Sequence, residues 1–483
     1  MQQAWQINAY AFPGRSLGTR REDGDMKNTA LKKEHYEATT NACKLCTPLG
    51  ASLAFKGVRG AISLMHGSQG CSTYIRRYLI SHFKEPIDIA SSNFSEDTAI
   101  FGGGANLKKS VANVIRQYKP ELVGISTTCL SETIGDDVPM ILNGIRHDAD
   151  GAPLPPIVHV STPSYSGTHA DGYVGAVRAL VDALSIRKNH EIEPSMVNIF
   201  PGMYSPADLR YLKEILEDFA IPYRMLPDYS ETLDGGPWTT YHKIPHGGTS
   251  VSEIADMASA QASIEFGYVT RKGTTAAGLL SSRFNIPAYN LGMPAGVRAT
   301  DRLFDLLSEL SGNLIPDRHA RERERLLDSY VDGHKYLFGA KAVIYGEEDL
   351  VAGMFAFLTE IGITPILCAS GGTSGKLAET LESLRPEGYD EPITVLQAAD
   401  FGQIEDAALG TGADMFVGNS KGYSITRKMG IPLVRVGFPI HDRVGGPRIH
   451  HIGYRGCQEL FDRVTNALLD VKQEATGVGY SYM

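Results

Sequence analysis

From about residue 41 to the C-terminus, short apolar runs rich in β-branched residues alternate with amphipathic stretches. That alternation, more than any other feature, limits the fold. Strands separated by helical segments cannot pair as hairpins, so they build parallel sheets with helices on both faces. The predicted strands of a first block are Ala61–Met65, Leu122–Ser126 and Ile157–Ser161. A second block has Met196–Phe200, Pro222–Leu226, Ala262–Phe266 and Ala288–Leu291. A third has Ala342–Tyr345, Thr364–Leu367, Ile393–Leu396, Met415–Val417 and Leu433–Val436. A helix is expected over Asn106–Tyr118, with Leu107, Val111, Val114 and Ile115 on one face. It follows the run Phe101 to Asn106 (FGGGAN), a flexible loop suited to an anion. Another helix, Ala207–Phe219, has a cap at Ser205 and a proline at its first position, Pro206.

The chain of 483 residues is too long for one core. Four segments follow from the pattern: a polar arm (1–40), an α/β domain (41–190), a second (191–335), and a third with a C-terminal helix (336–483). The linker Asp148–Pro156 (DADGAPLPP) and the Gly/Pro-rich stretch Leu226–Ser250 are expected at surfaces or interfaces. The charged segment Asp317–Asp328 reads as a solvated helix between the second and third blocks. A net charge of −9 disfavours nucleic acid and anionic membranes as partners. No apolar run approaches the roughly 20 residues of a membrane span, and residues 1–40 carry no apolar signal core. A cytoplasmic protein is expected.

Six cysteines in a chain this long do not form a disulfide framework. Cys46 and Cys71 fall on Gly-bearing loops either side of the first predicted strand, and Cys129 follows the second. A mononuclear zinc site draws on close cysteine pairs, whereas these three are 25 and 58 residues apart. In an open α/β sheet, sites form beyond the carboxyl ends of the strands, where Cys71 and Cys129 fall. Any one of them alone reads as a buried core thiol. Three in similar contexts read as ligands. Three thiolates under-ligate an iron–sulfur cubane, so a partner chain is expected to complete the site. Cys368 and Cys457 read as buried structural thiols. Cys43 forms a CxxC with Cys46, a pattern that by itself suggests zinc or redox chemistry. His66 and His82 flank the Cys71 helix and read as satisfied core groups; His441, His450 and His451 lie in an interface-type loop. No glycine run has Walker spacing, so the chain is not expected to bind ATP.

The runs HGSQGCSTYIRRYLISHFKEP, SEDTAIFGGGANL, TTCLSETIGDDV and STPSYSGTHADGY resemble the β-type subunit of the nitrogenase component 1 superfamily, as do VGNSKG and GFPIHDR. The resemblance covers nearly everything after residue 40. It implies three Rossmann-like domains, an α2β2 heterotetramer with a homologous α subunit, and an ATP-dependent iron protein that docks transiently. It places Cys46, Cys71 and Cys129 at the β-chain ligands of a P-type cluster of eight irons and seven sulfurs, shared with the α subunit. Tyr74 matches an aromatic beside that cluster, and Cys43 is a bystander. Dinitrogen-reducing β chains carry a serine where this chain has Thr168, in the triplet Gly167-Thr168-His169. Nothing here resembles the α-type catalytic cysteine loop, so the reaction centre is expected in the partner.

HGSQGC, LPDYSETLDG and GFPIHDRVGG look more like the β-like half of the cofactor-maturation scaffold, yet the three thiols keep the enzyme-type spacing. That mixture points to a nitrogenase-like reductase, with methylthio-alkane reductase the first expectation. A dinitrogenase β subunit and the non-catalytic scaffold half are the alternatives.

Overall fold

The computed structural model describes residues 41–145, 154–187, 192–269 and 274–477. The expected arm (1–40) and most of the linker Asp148–Pro156 lie outside the described residues, as does the expected boundary near residue 190.

Three parallel sheets flanked by helices form the body. The first contains β1 (Ala61–His66), β2 (Ile89–Ser91), β3 (Leu122–Thr127) and β4 (Ile157–Val160), in the spatial order β2-β1-β3-β4. The second contains β5 (Glu193–Phe200), β6 (Tyr223–Met225), β7 (Ala260–Phe266) and β8 (Ala288–Leu291), in the order β6-β5-β7-β8. The third contains β9 (Lys341–Gly346), β10 (Thr364–Ser370), β11 (Thr394–Leu396), β12 (Met415–Gly418) and β13 (Leu433–Arg435), in the order β11-β10-β9-β12-β13. Every strand pairing within these sheets is parallel. In each sheet the order of strand addition reverses once, between β1 and β3, β5 and β7, and β9 and β12. Such reversal points open a crevice at the carboxyl ends of the strands.

Every residue of β1 and β3 is buried, as a parallel strand covered on both faces requires. One continuous apolar cluster includes Met65, Ile199 and Ile344, one from each sheet. Helices begin and end where the local chemistry directs. The Ser205 hydroxyl accepts from Asp208 N, and Pro206 opens the helix Pro206–Asp218. The helix expected over Asp317–Asp328 runs on to Leu337. It is not solvated all round: His319, Leu326, Gly333 and Leu337 are buried, and it packs on the final helix Gly453–Glu474.

Candidate metal centre

Cys71 and Cys129 are positioned by adjacent strands. β1 and β3 pair in register, Met65 with Ser126 and His66 with Thr127. Each chain leaves its strand and turns into a helix. Cys71 lies in the first turn of the helix Gln69–Phe83, and Cys129 opens the helix Cys129–Ile134. Cys46 arrives from elsewhere, as the residue just before the helix Thr47–Lys56. The loops expected for Cys46 and Cys71 are therefore helix starts, with backbone N–H groups nearby and little freedom to move.

Ser164 links two of these starts. Its N–H donates to Cys129 Sγ at 3.3 Å, and its hydroxyl accepts from Thr47 N at 3.1 Å, next to Cys46. The Ser68 hydroxyl approaches Cys71 Sγ at 3.6 Å. Burial pushes the Cys46 thiol above its ordinary pKa; the hydrogen bond from Ser164 lowers it, and the nearby Cys129 and Cys71 raise it further. The Cys71 and Cys129 sulfurs therefore each lie within electrostatic reach of Cys46. Cys71 and Cys129 are exposed and Cys46 half-buried, whereas Cys43, Cys368 and Cys457 are buried. Burial holds the Cys43 and Cys457 thiols up at about 12. Gly296 N donates to Cys457 Sγ at 2.8 Å. These three behave as core thiols.

Among the described residues, no three His, Cys, Asp or Glu side chains converge on one ion. A single zinc is thus a poor fit. The donor set is soft, all thiol, and spread over three helix starts, which suits a larger multi-iron group. Exposed apolar side chains lie on the same elements or close by: Tyr74 (42 % exposed, its ring 4.7 Å from that of Tyr78), Leu130 (39 %) and Tyr165 (66 %).

Other candidates resolve differently. Thr168 caps the helix His169–Leu184, its hydroxyl donating to Asp171 at 3.0 Å and accepting from Asp171 N. His169 accepts from Leu45 N at 3.3 Å. His66 bonds Ser92 and Asp136, each at 3.0 Å, and His82 accepts from Ile440 N at 2.9 Å, so both are satisfied core groups. His451 pairs with Asp208, and His450 with Glu459. The FGGG loop is not open to an outside anion: Gly103 N donates to both Asp136 oxygens at 3.0 Å. Asp136 and Ser164 carry no sequence signal that singles them out.

A separate cavity of about 80 Å³ lies at the carboxyl ends of β5, β7 and β9, among Phe200, Phe266, Phe438, Glu265, Glu347 and Asp349. None of the three candidate cysteines lines it. Burial raises Glu265 to about 7 and Glu347 to about 8.

The profile of the family described as nitrogenase component 1 type oxidoreductase matches residues 46–469. The nitrogenase molybdenum-iron protein beta chain of Clostridium pasteurianum is 35 % identical over 439 residues, covering 90 % of this chain and 94 % of that one. The corresponding chain of Methanothermobacter marburgensis is 37 % identical over 456 residues, covering 92 % and 97 %. The nitrogenase iron-molybdenum cofactor biosynthesis protein NifN of Bradyrhizobium diazoefficiens is 32 % identical over 445 residues, covering 90 % and 92 %. A chain of nitrogenase Cp1 solved at pH 6.5 superposes with a TM-score of 0.88 at 33 % identity, covering 93 % of this chain and 98 % of that one.

Proposed function

The chain belongs to the nitrogenase component 1 type oxidoreductase family, with β-chain relatives over nine-tenths of its length, and on that premise we propose that it is the β subunit of a nitrogenase-like reductase. In this reading Cys46, Cys71 and Cys129 hold one half of a P-type [8Fe-7S] cluster at the boundary with an α subunit. When bound, that cluster supplies electron storage and passage from an ATP-dependent iron protein toward the α chain. The observation that supports the reading is that Cys46 lies within electrostatic reach of Cys71 and Cys129, and that these three are exposed or half-buried while the other three cysteines are buried.

This chain's residues do three things. The helix starts hold the sulfurs at fixed positions. Ser164 donates a hydrogen bond to Cys129 Sγ and so helps fix where that sulfur points. Tyr74, Leu130 and Tyr165 would exclude water once the α subunit covers them. A dry interface strengthens every charge inside it.

For the substrate, we infer a small methylthio-alkane. Two electrons and two protons would convert R–S–CH3 into methanethiol and RH at the α chain. Support comes from the scaffold-like runs combined with enzyme-type thiols, and from Thr168. Its hydroxyl is tied to Asp171 at the position expected to hold a serine in dinitrogen-reducing chains. The second reading, a dinitrogenase β subunit, draws on the names of the relatives at 35–37 % identity.

The test is an anaerobic purification of the αβ complex, with iron and sulfide counted per αβ unit. The complex is then assayed with its iron protein and ATP against ethyl methyl sulfide, dinitrogen and acetylene. Eight interface irons and hydrocarbon release from the thioether are expected. Four irons and no turnover would make the chain a scaffold half. Ammonia without thioether cleavage would make it a dinitrogenase subunit.

A further inference from the structure

Lys421 lies in the single 3-10 turn Ser420–Gly422, just past the carboxyl end of β12. Its backbone N–H donates to the Asn419 side chain at 3.0 Å, and Asn419 donates to Phe438 O at 3.3 Å. The turn has little room to shift. A Cβ on Gly418 would come within 2.5 Å of Tyr345 O, and one on Gly422 within 2.3 Å of Tyr345 Oη. From this fixed base the Lys421 ammonium donates to Ala42 O at 3.2 Å and to Lys44 O at 3.5 Å. It also lies 5.9 Å from the centre of the Tyr78 ring.

The segment it grips leads straight into Cys46. That segment has other fastenings: Cys43 N donates to Ala399 O at 2.9 Å, Gly371 N to Cys43 O at 3.1 Å, and Leu45 N to His169 Nδ1 at 3.3 Å. Lys421 is the cation among them that lies within electrostatic reach of the Cys46 sulfur and of the buried Cys43 thiol; burial works against its charge, and those two sulfurs favour it.

We propose that Lys421 is a positioning residue for electron transfer: it fixes the strap that carries Cys46 and places a positive charge beside the site where an electron arrives. This rests on reading Cys46 as a cluster ligand. A one-electron reduction there, with the electron supplied by the iron protein and no proton taken up, adds one negative charge. A fixed, half-buried cation stabilises that added charge, so it raises the midpoint potential. The sequence runs around Cys71 and Cys129 give no hint of Lys421, which is more than 290 residues away from either.

The experiment compares wild type, Lys421→Gln and Lys421→Arg in the assembled αβ complex. Iron per αβ unit and the midpoint of the interface cluster by potentiometric titration are the readouts. Gln keeps a hydrogen-bond donor and removes the charge, whereas Arg keeps both. The Gln variant should retain its iron with a midpoint shifted to more negative values, and the Arg variant should stay near wild type. A Gln variant with full iron and an unchanged midpoint would overturn the role of Lys421 while leaving the ligand reading intact. A wild-type complex without interface iron would overturn the ligand reading, and this inference with it.

Discussion

Gly50 and Gly172 each lie against the other's helix where the helices Thr47–Lys56 and His169–Leu184 cross, and neither position has room for a side chain. A Cβ on Gly50 would lie 1.7 Å from His169 O, and one on Gly172 would lie 1.9 Å from Thr47 O. Backbone meets backbone here, so no rotamer change can relieve the clash. Gly172→Ala is expected to push the helices apart at a cost of about 1–3 kcal/mol. Because Thr47 adjoins Cys46, iron content should fall with stability. Gly175→Ala, on the same helix, would meet only Val160 Cγ2 at 3.4 Å and should be tolerated. Denaturation midpoints and iron per chain check both. Equal behaviour of the two variants would refute the crossing as the constraint.

Thiol accessibility separates the two sets of cysteines before any cluster is present. In the cluster-free chain under native conditions, Cys71 and Cys129 should alkylate first, with Cys46 slower. Cys43, Cys368 and Cys457 should resist until unfolding, because burial both hides them and pushes their thiols up. Mass spectrometry of the alkylated peptides against time reads the order directly. Early modification of Cys368 or Cys457 would contradict their place in the core.

Thr168 is a helix cap in this structure, so its substitutions should behave as cap substitutions. Thr168→Ala is expected to lose about 1 kcal/mol, and Thr168→Ser, at least as good a cap, to lose nothing. Neither should change iron content or the spectrum of the oxidised complex. A Thr168→Ala complex with an altered oxidised spectrum at full iron would show that the hydroxyl leaves Asp171 to join the metal.

Much of the layered fold was legible, because parallel strands buried on both faces appear as continuous apolar runs. β1 and β3 begin where those runs begin. β8 matches its expected limits although it is an edge strand with no buried residue. β2 was not legible: Ile89–Ser91 is three residues long, only half-buried, and sits at a sheet edge where side-chain pattern is weak. The placing of Cys71 and Cys129 just beyond the ends of adjacent strands was suggested by the strand pattern. A helix at Cys71 was expected, but the helix starts at Cys46 and Cys129 were not, since short polar sequences such as TTCL suit a loop as well as a first turn. The FGGG loop misled because its anion comes from within the chain. Asp136 is more than 30 residues away, and only tertiary packing brings it to Gly103. The charged stretch after Asp317 hid its buried face in the same way, since His319 and Gly333 do not count as apolar in a periodicity.

Asp208 and His451 give a pH dependence with a definite sign. Asp208 is fully buried and accepts from His451 N and His451 Nδ1, both at 2.7 Å, and from Ile452 N at 3.3 Å. Burial alone would push its carboxyl up. The charge and hydrogen bonds of His451 outweigh that and hold it below its usual value of 3.8. A carboxyl depressed in the folded state contributes stability that is fully present above the unfolded value and lost as pH falls through the folded one. This contribution should therefore be complete at pH 5 and shrinking at pH 3. Asp208→Asn removes the charge and turns an NH2 on the His451 ring and on Ser205 N, where a carboxylate oxygen accepts, and should cost about 3–5 kcal/mol at pH 5. The gap between wild type and variant should narrow toward pH 3, because the wild type loses there what the variant never had. Urea denaturation at the two pH values measures that gap. A gap that widened on acidification would mean that the His451 contact does not hold the Asp208 carboxyl down.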